Sequence, residues 1–538
     1  MHSLVELMRD RIAGGLKRTT LRTPSQWACE YRVMGNPYPG KWTFVHHPWL
    51  RAMHDSTATF NIGMKAAQVG FTEWALNKTF YNIDILANDC LYILPGEGDA
   101  GDFSAGRFDP ALEQSPHLRN LFSAVRNVGH KRAGSVNLYI RGSRSRSKLK
   151  SIPTPFIAFD EVDEMTQANI PLALERASGQ LEREVLMLST PTIEKDDYGI
   201  FGYYATSTQE HFFFPCPHCG RLIELTPEDN LEIGSPVSES FYFCNLCKGV
   251  LEHADKPNYL GKGIFVPSVS DADPEVRGFT VSQLYSSAYA GKPEEIASAI
   301  IQAETDPAKE QELHNSKFGR PHTVAGARLS ESDLDRVIDP SGNIGPIITM
   351  GVDVGKIIYV DISSFKVTSR GNDINDTTVR RVILHTRVRE FEELDALMRK
   401  YGVHFCVVDR HPETRLAFQF AMRFWGRVLL CMYGNGLTGR QVSIGSEAEK
   451  TVTVDRTSWL DCFFNRIRNN TLTAAALSDE YRLHVKNLVR HYDKDRFGNP
   501  IVRYINIGPD HYAHASTYAE IALLFAKGVG HENITKVT

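Results

Sequence analysis

The 538-residue chain has no run of about 18 consecutive apolar residues, the length a membrane-crossing helix needs, so no span is predicted. Its first residues, MHSLVELMRDRIAGGLKR, lack the apolar core of a secretory signal, and a cytosolic location is the expectation. No charge is in large excess. A net charge of −4 excludes a uniformly basic nucleic-acid binder, so any DNA contact must come from a local patch. There is no internal repeat and no long low-complexity tract. Cysteine is sparse, with nine residues, and four of them form two C-x-x-C pairs, which points to a metal rather than to disulfides. What remains is the composition of an ordinary soluble protein, 42% hydrophobic and 23% charged, on a chain too long for one core. Two or three domains are expected.

Residues 1–50, rich in aromatics, Pro and Gly, read as an irregular leading segment. From 58 to 200, short apolar runs (58–64, 91–94, 136–140, 156–159, 185–188) alternate with helical patterns (72–86, 170–177). Such alternation predicts a mostly parallel sheet with helices on its faces. The character changes at 211–255, where the paired cysteines lie, and a helical stretch covers 293–315. Residues 336–346 carry Pro and Gly and read as a linker. New apolar runs follow at 347–352, 357–362, 379–388 and 404–408, with a helical pattern at 513–527. The domains are therefore expected at 51–335, with an insertion at 211–255, and at 347–538.

Lys65-Ala-Ala-Gln68-Val69-Gly70-Phe71-Thr72 follows the first apolar run and opens a helix. Strand, turn and helix N-terminus in that order turn backbone N–H groups towards an anion, so Gln68 to Thr72 are candidates to cradle a triphosphate such as ATP. The spacing departs from G-x-x-x-x-G-K-[ST]: Gly70 and Thr72 hold their places, but Phe71 stands where the lysine belongs and Lys65 where the first glycine belongs. The inference is that Lys65 supplies the cation from the front of the loop, with Thr72 on Mg²⁺. The alternative is a plain strand–turn–helix with a surface lysine.

Phe156-Ile-Ala-Phe-Asp160-Glu161 is an apolar strand ending in two carboxylates. Asp160 would hold Mg²⁺ and Glu161 would polarise the attacking water. The segment continues through Asp163 and Glu164, which by themselves also read as a solvated acidic loop. Ser189-Thr190-Pro191 ends the next strand and is either a sensor of the γ-phosphate or a simple proline turn. Just before the acidic strand, Arg141, Arg144, Arg146, Lys148 and Lys150 place five cations in ten residues. They are DNA-backbone or phosphate contacts, or else a solvated charge run. Arg107 is a further candidate for an arginine finger.

Cys216-Pro-His-Cys219 and Cys244-Asn-Leu-Cys247 have the ligand spacing of a tetrahedral Zn²⁺ site. Four thiolates leave no open position, so that site is structural. Cys29, Cys90, Cys406, Cys431 and Cys462 have no partner at ligand spacing and read as core thiols. In the second domain two apolar strands carry Asp353 and Asp409 at or near their ends, and Asp510 stands four residues before His514 on a helical pattern. Carboxylates brought together this way can hold two Mg²⁺ or Mn²⁺ about 4 Å apart for phosphodiester cleavage. The third ligand is open between Asp510 and His514. His511 reads as a surface residue, and Asp361 and Asp455 as weaker ligand candidates or simply solvated acids.

These motifs, in this order, resemble one family: the large terminase subunit of tailed bacteriophages, of the lambda-like GpA group. The resemblance runs from Thr23-Pro-Ser-Gln-Trp-Ala-Cys-Glu-Tyr31 and Pro39-Gly-Lys-Trp42 through the 65–73 loop with Asn77, Asp160–Asp163, Ser189–Thr192 and Phe214–Gly220. It continues through Asn315, Gly319, Asp353, Asp409 and the segment from His514. It implies a P-loop ATPase domain of the ASCE type with a zinc-ribbon-like insertion, followed by an RNase H-like nuclease domain. It further implies an ATP-driven motor that packages concatemeric double-stranded DNA into a procapsid from the host cytoplasm. The implied partners are the portal, a small terminase subunit and further copies of the chain in a ring. Lys65, Gly70 and Thr72 would lie on ATP–Mg, Asp160 and Glu161 would act in hydrolysis, and Asp353 and Asp409 would hold the nuclease metals. The family usually has Asp where this chain has His514. The rival readings are a nucleic-acid-binding assembly protein with a degenerate nucleotide site and a cellular ATP-dependent helicase–nuclease.

Overall fold

The computed structural model describes residues 22–122, 125–150, 152–195, 197–368, 375–434, 436–437, 439–446, 448–494, 499–526 and 534–536. Residues 1–21 of the expected leading segment and Lys527 of the last expected helix lie outside them. The chain forms two compact units, Met1–Val324 and Ala325–Thr538. Among the described residues no helix is long and apolar enough to cross a membrane.

The first unit is built on one large sheet. Its centre is seven parallel strands in the order Glu210–Pro215, Val276–Val281, Phe60–Lys65, Glu184–Ser189, Phe156–Asp160, Cys90–Leu94, Val136–Gly142. Cys90–Leu94 and Phe156–Asp160 are buried along their whole length, which is why they read as unbroken apolar runs. One strand, Glu184–Ser189, separates the strand that feeds the loop at 65–72 from the strand that ends in Asp160. Antiparallel strands finish both edges. Strand Val276–Val281 was not foreseen, because its Arg277, Gly278 and Thr280 break the apolar run.

The leading segment is not irregular where it is described. Thr23 caps the helix Pro24–Tyr31 through a reciprocal capping box with Gln26, and the helix buries Trp27 in the same core as Trp49, Phe71 and Trp74. The stretch expected as one helix at 293–315 is three pieces, Pro293–Ala303, Pro307–Glu312 and the π-helical Leu313–Phe318. Pro307 cannot continue the preceding helix, and Asp306 caps the new one by accepting from the Ala308 N–H at 2.9 Å. Cys216 and Cys219 precede a three-stranded antiparallel sheet formed by Leu231–Glu232, Phe241–Phe243 and Val250–Leu251, and Cys244 and Cys247 lie in the turn between its last two strands.

The second unit starts earlier than the composition suggested. Residues 325–335 pack with it: Leu329 and Leu334 share a core cluster with Phe463 and Tyr481, and Ala327 accepts from the Arg490 N–H. Part of the expected linker does the same, since Ile338 bridges Ala474 and Asp339 donates to the Ala474 carbonyl. The sheet order is Leu472–Ala474, Thr378–Val388, Ile358–Val367, Ile347–Asp353, Phe405–Asp409, Val428–Tyr433, Thr451–Val454, Val442–Ile444, Ile534–Lys536. Ile347–Asp353 is antiparallel to Ile358–Val367 and parallel to Phe405–Asp409.

Helix His511–Leu523 lies directly across Ile347–Asp353. A Cβ on Gly351 would fall 1.9 Å from the Ala515 carbonyl oxygen, so only glycine allows this approach. Beneath the helix, Arg380 pairs with Asp361 at 2.8 Å and Glu520 at 2.6 Å, and Arg466 pairs with Glu520 at 2.7 Å. Asp361, expected in solvent, is completely buried in this network. Asp455 instead caps the helix Arg456–Arg468 by accepting from the Ser458 N–H. Gly351→Ala should destabilise the second unit by about 1–3 kcal/mol through overpacking. Urea denaturation read against the wild type checks this, and an unchanged midpoint would mean that the helix does not need the close approach.

Candidate nucleotide and metal sites

The loop after Phe60–Lys65 turns because Gln68 and Gly70 take left-handed backbone, at φ 60° and 85°, before the helix Phe71–Asp84 begins. The N–H groups of Ala66 and Ala67 are spent on the carbonyls of Val281 and Ser316. Those of Gln68, Val69, Gly70, Phe71 and Thr72 donate to no group among the described residues. They are the donors a helix N-terminus offers to a phosphate. The Phe71 side chain does not enter this space. It is buried in the core, edge-on to Trp74 with ring centroids 5.9 Å apart, and Val69 is buried as well. Both serve the site through backbone only.

Lys65 reaches from its strand end to Glu161, Nζ to Oε1 at 3.0 Å. Burial opposes the charge on Lys65, but Glu161, Asp160 and Asp163 together hold its pKa above the ordinary value. Asp160 is buried at the end of its strand, and Tyr92 donates to its Oδ2 at 2.8 Å. Oδ1 has no hydrogen-bond partner. Burial first, then the charge of Glu161, raises Asp160 to about 7, against the pull of Lys65, Tyr92 and the Thr72 hydroxyl on the same side. Glu161 itself has left-handed backbone, φ 66°, which costs a non-glycine residue energy and turns its carboxylate back over the loop. Tyr92 was missed by sequence reasoning. Its only signal was a hydroxyl inside an otherwise apolar run.

Asp163 is not solvated. It accepts from the Thr192 N–H and hydroxyl at 2.8 and 2.7 Å and from the Ile200 N–H at 2.7 Å. This ties the acidic turn to the segment after Ser189-Thr190-Pro191, and Ser189 also donates to Glu161 at 3.5 Å. Burial raises Asp163 to about 6.

The basic segment divides. Arg144, with Arg107 and Glu161, lines a cleft of about 560 Å³. Arg107 also lies 3.9 Å from Glu73, which pairs with the buried Arg32 at 2.6 Å. Arg141 is half-buried and donates to the carbonyls of Gly129 and Ile140, so it is structural. Lys148 pairs with Glu97 at 3.0 Å, and Arg146 and Lys150 are exposed.

The sulfurs of Cys216, Cys219, Cys244 and Cys247 all lie within 4.8 Å of one another. The two C-x-x-C turns are built alike: the Gly220 N–H returns to the Cys216 carbonyl and the Lys248 N–H to the Cys244 carbonyl. Among the described residues this is the one group of three or more potential ligands gathered so closely.

In the second unit Asp353 and Asp409 end neighbouring parallel strands, with Val352 opposite Val408. His511 touches Asp353, Nδ1 to Oδ2 at 2.8 Å, and its ring stacks on Tyr359 with centroids 4.6 Å apart. His511 keeps an exposed side chain, as its surface reading expected, but it is tied to Asp353, which raises its pKa. Asp409 Oδ1 accepts from the His411 N–H at 3.1 Å. Burial first, and then Asp353, raise Asp409 to about 6. His514 lies between Tyr433 Oη, 2.7 Å from its Nδ1, and Asp510 Oδ2, 3.2 Å from its Nε2. Burial opposes the charge of Asp510, but His514 holds its pKa below the ordinary value.

The raised pKa of Asp160 makes a stability prediction. Relative to an unfolded carboxyl near 3.8, the folded protein favours the protonated form, so stability falls as the pH rises from about 4 to about 7. Asp160→Asn should therefore raise the melting temperature by a few degrees at pH 8 and by little at pH 5. An equal gain at both pH values would separate the effect from the carboxylate charge.

Residues 36–265 match the family model for the ATPase domain of phage terminase large subunit gpA. A search of curated proteins gave no significant match. Among solved structures, the HK97 bacteriophage large terminase is 11% identical over 93% of this chain and 98% of its own, with a TM-score of 0.44. The large terminase ATPase domain of Thermus phage P74-26 is 14% identical over 50% of this chain and 92% of its own, at 0.31. The large terminase nuclease of thermophilic phage G20c is 15% identical over 35% of this chain and 95% of its own, at 0.22. Likeness this distant assigns no residue. The family model does more, because the residues it spans include the loop at 65–72, the acidic strand end and all four paired cysteines, so that residues 36–265 are similar to the ATPase domain of phage terminase large subunit gpA.

Proposed function

We propose that this chain hydrolyses ATP to drive double-stranded viral DNA into a procapsid, and that its second unit cuts concatemeric DNA with divalent metal ions. The observation that carries the ATPase half is the convergence of Lys65, Asp160 and Glu161 beside the unspent N–H groups of Gln68 to Thr72. A triphosphate seated on those N–H groups competes with Glu161 for the Lys65 amine. Lys65 then neutralises phosphate, and Glu161 is released to accept a proton from the attacking water. Mg²⁺, held by Thr72 and Asp160, would neutralise charge building up on the phosphate oxygens. Arg107 and Arg144 face the same cleft as Glu161, and either side chain would stabilise the transferring phosphoryl group. Asp163 links the hydrolytic turn to Thr192 and Ile200, a route by which a shift at Glu161 reaches the rest of the sheet.

The oxygen donors Asp353 and Asp409 suit Mg²⁺ or Mn²⁺, which activate water and stabilise the leaving oxygen in phosphodiester cleavage. Exposed Arg144, Arg146 and Lys150 are the DNA-backbone candidates that remain once Arg141 is counted as structural and Lys148 as paired with Glu97. The family reading brings the portal, a small terminase subunit, further copies of the chain in a ring and the host cytoplasm as setting. The four thiols would hold one Zn²⁺ as a closed structural site that pins the small sheet at 231–251.

Two substitutions separate the activities. Lys65→Ala should lower DNA-stimulated ATP turnover on the order of a hundredfold and leave Mn²⁺-dependent plasmid cutting intact. Asp353→Ala should do the reverse. Wild-type protein without DNA-stimulated turnover would end the motor reading, and cutting that survives Asp353→Ala would end the nuclease assignment. For the thiol site, a mercurial should release about one zinc per chain into a colorimetric chelator. Release of none would exclude the zinc reading.

A further inference from the structure

The π-helical turn Leu313–Phe318 touches two parts of the nucleotide site at once. On one side the Ser316 carbonyl accepts from the Ala67 N–H at 2.7 Å. Gly319 ends the turn in left-handed backbone, φ 66°, and packs directly on the start of the loop. A Cβ there would fall 2.6 Å from the Ala66 nitrogen and 2.9 Å from the Lys65 carbonyl carbon, closer than side chains come. On the other side the Asn315 side-chain amide donates to the Thr192 carbonyl at 3.1 Å, and the His322 N–H donates to the same oxygen at 3.3 Å. Thr192 in turn gives its N–H and hydroxyl to Asp163, in the turn that starts at Glu161. One short segment therefore holds the peptide after Lys65 and, through Thr192 and Asp163, the turn after Glu161.

Asn315 is buried, and only one end of its amide is used. The Thr192 carbonyl only accepts, so the amide nitrogen faces it and the amide oxygen is left without a partner. An unpaired buried oxygen costs more stability than one hydrogen bond returns. The amide therefore does not strengthen the fold, and its worth lies in where it holds Thr192. That position matters because Glu161 has left-handed backbone, a conformation that persists only where its surroundings enforce it. Single π-helical turns are likewise found most often at functional sites.

Resting on the ATPase reading above, we infer that Asn315 and Gly319 are positioning residues for ATP hydrolysis. Gly319 and the Ser316 carbonyl set the entry of the loop that would seat the triphosphate. Asn315 holds Thr192, and with it Asp163, so that the Glu161 carboxylate stays aimed at the attacking water. The two residues act on different steps: Gly319 on nucleotide binding, Asn315 on the chemical step.

The test uses the full chain, with ATP turnover measured on linear duplex DNA and nucleotide binding measured with the fluorescent, slowly hydrolysed analogue mant-AMPPNP. Asn315→Leu decides it. Leucine has nearly the shape of asparagine, and Thr192 keeps its bond from His322, so no polar group is left unpaired. This variant should lower kcat by roughly tenfold or more, the scale of a small misplacement of a catalytic group. Its KM should stay within about twofold of wild type, the sign of an interaction that serves the transition state. It should bind mant-AMPPNP like wild type and melt no lower. Gly319→Ala should instead weaken mant-AMPPNP by roughly tenfold, because the loop must shift to admit the methyl group. The inference is overturned if Asn315→Leu keeps the wild-type kcat, or if it loses mant-AMPPNP affinity or melting temperature in step with turnover. Gly319→Ala that binds as wild type would overturn its loop half. Wild-type protein without ATP turnover, or turnover indifferent to Lys65→Ala, would instead refute the ATPase reading beneath it.

Discussion

One lysine held between three carboxylates organises the first unit. Lys65, Asp160, Glu161 and Asp163 sit at or just beyond the ends of two strands with a third strand between them. Neighbouring strands are about 4.8 Å apart, so those ends are about 10 Å apart, a gap only a long side chain can span. The lysine stem covers it, and the left-handed backbone of Glu161 brings the other partner back to meet it. A phosphate can displace that contact because it offers Lys65 more negative charge than Glu161 does. The position of the cation at the front of the loop follows from the same geometry. A lysine at position 71 would start from a helix whose first side chain is already committed to the core.

The second unit solves a related problem without a central cation. Asp353 and Asp409 end two neighbouring parallel strands, and like charges there repel. The repulsion is met by neighbours that each take one oxygen, His511 on Asp353 and the His411 N–H on Asp409, while His514 holds Asp510. Below them the buried set of Arg380, Arg466, Asp361 and Glu520 fastens helix His511–Leu523 to the sheet. Removing one member would leave a buried charge unpaired, which is far costlier than the net worth of the pair. The helix that carries Asp510 and His514 is thereby held in one register, and the absent side chain of Gly351 lets it come close enough.

Much of this was legible beforehand because it rests on local pattern. The central strands were readable because buried parallel strands are continuous apolar runs, and the loop, acidic strand end and paired cysteines because their chemistry needs close spacing. What was misread depended on partners far away in sequence. Asp361 looks like any acidic residue until Arg380 meets it from the next strand. Residues 325–335 were read into the first domain and 336–346 as a linker, yet Ala327, Leu334 and Ile338 each find a partner more than a hundred residues later. Thr23-x-x-Gln26 was a readable capping box, overlooked amid the aromatic and proline-rich stretch around it.

Sequence alone determined the elements and the inventory: which strands end in carboxylates, which loop offers free N–H groups, which thiols lie at ligand spacing. These are properties of neighbours along the chain, set by covalent geometry and hydrophobic period. Only the tertiary structure decided which members of that inventory are free to act. It sent Phe71 into the core, committed Arg141 to carbonyls, bound Asp163 to Thr192 and Ile200, and occupied both nitrogens of His514. The physical reason is that a hydrogen-bonding group has few lone pairs and protons to give, and what uses them up comes from parts of the chain that only folding brings near.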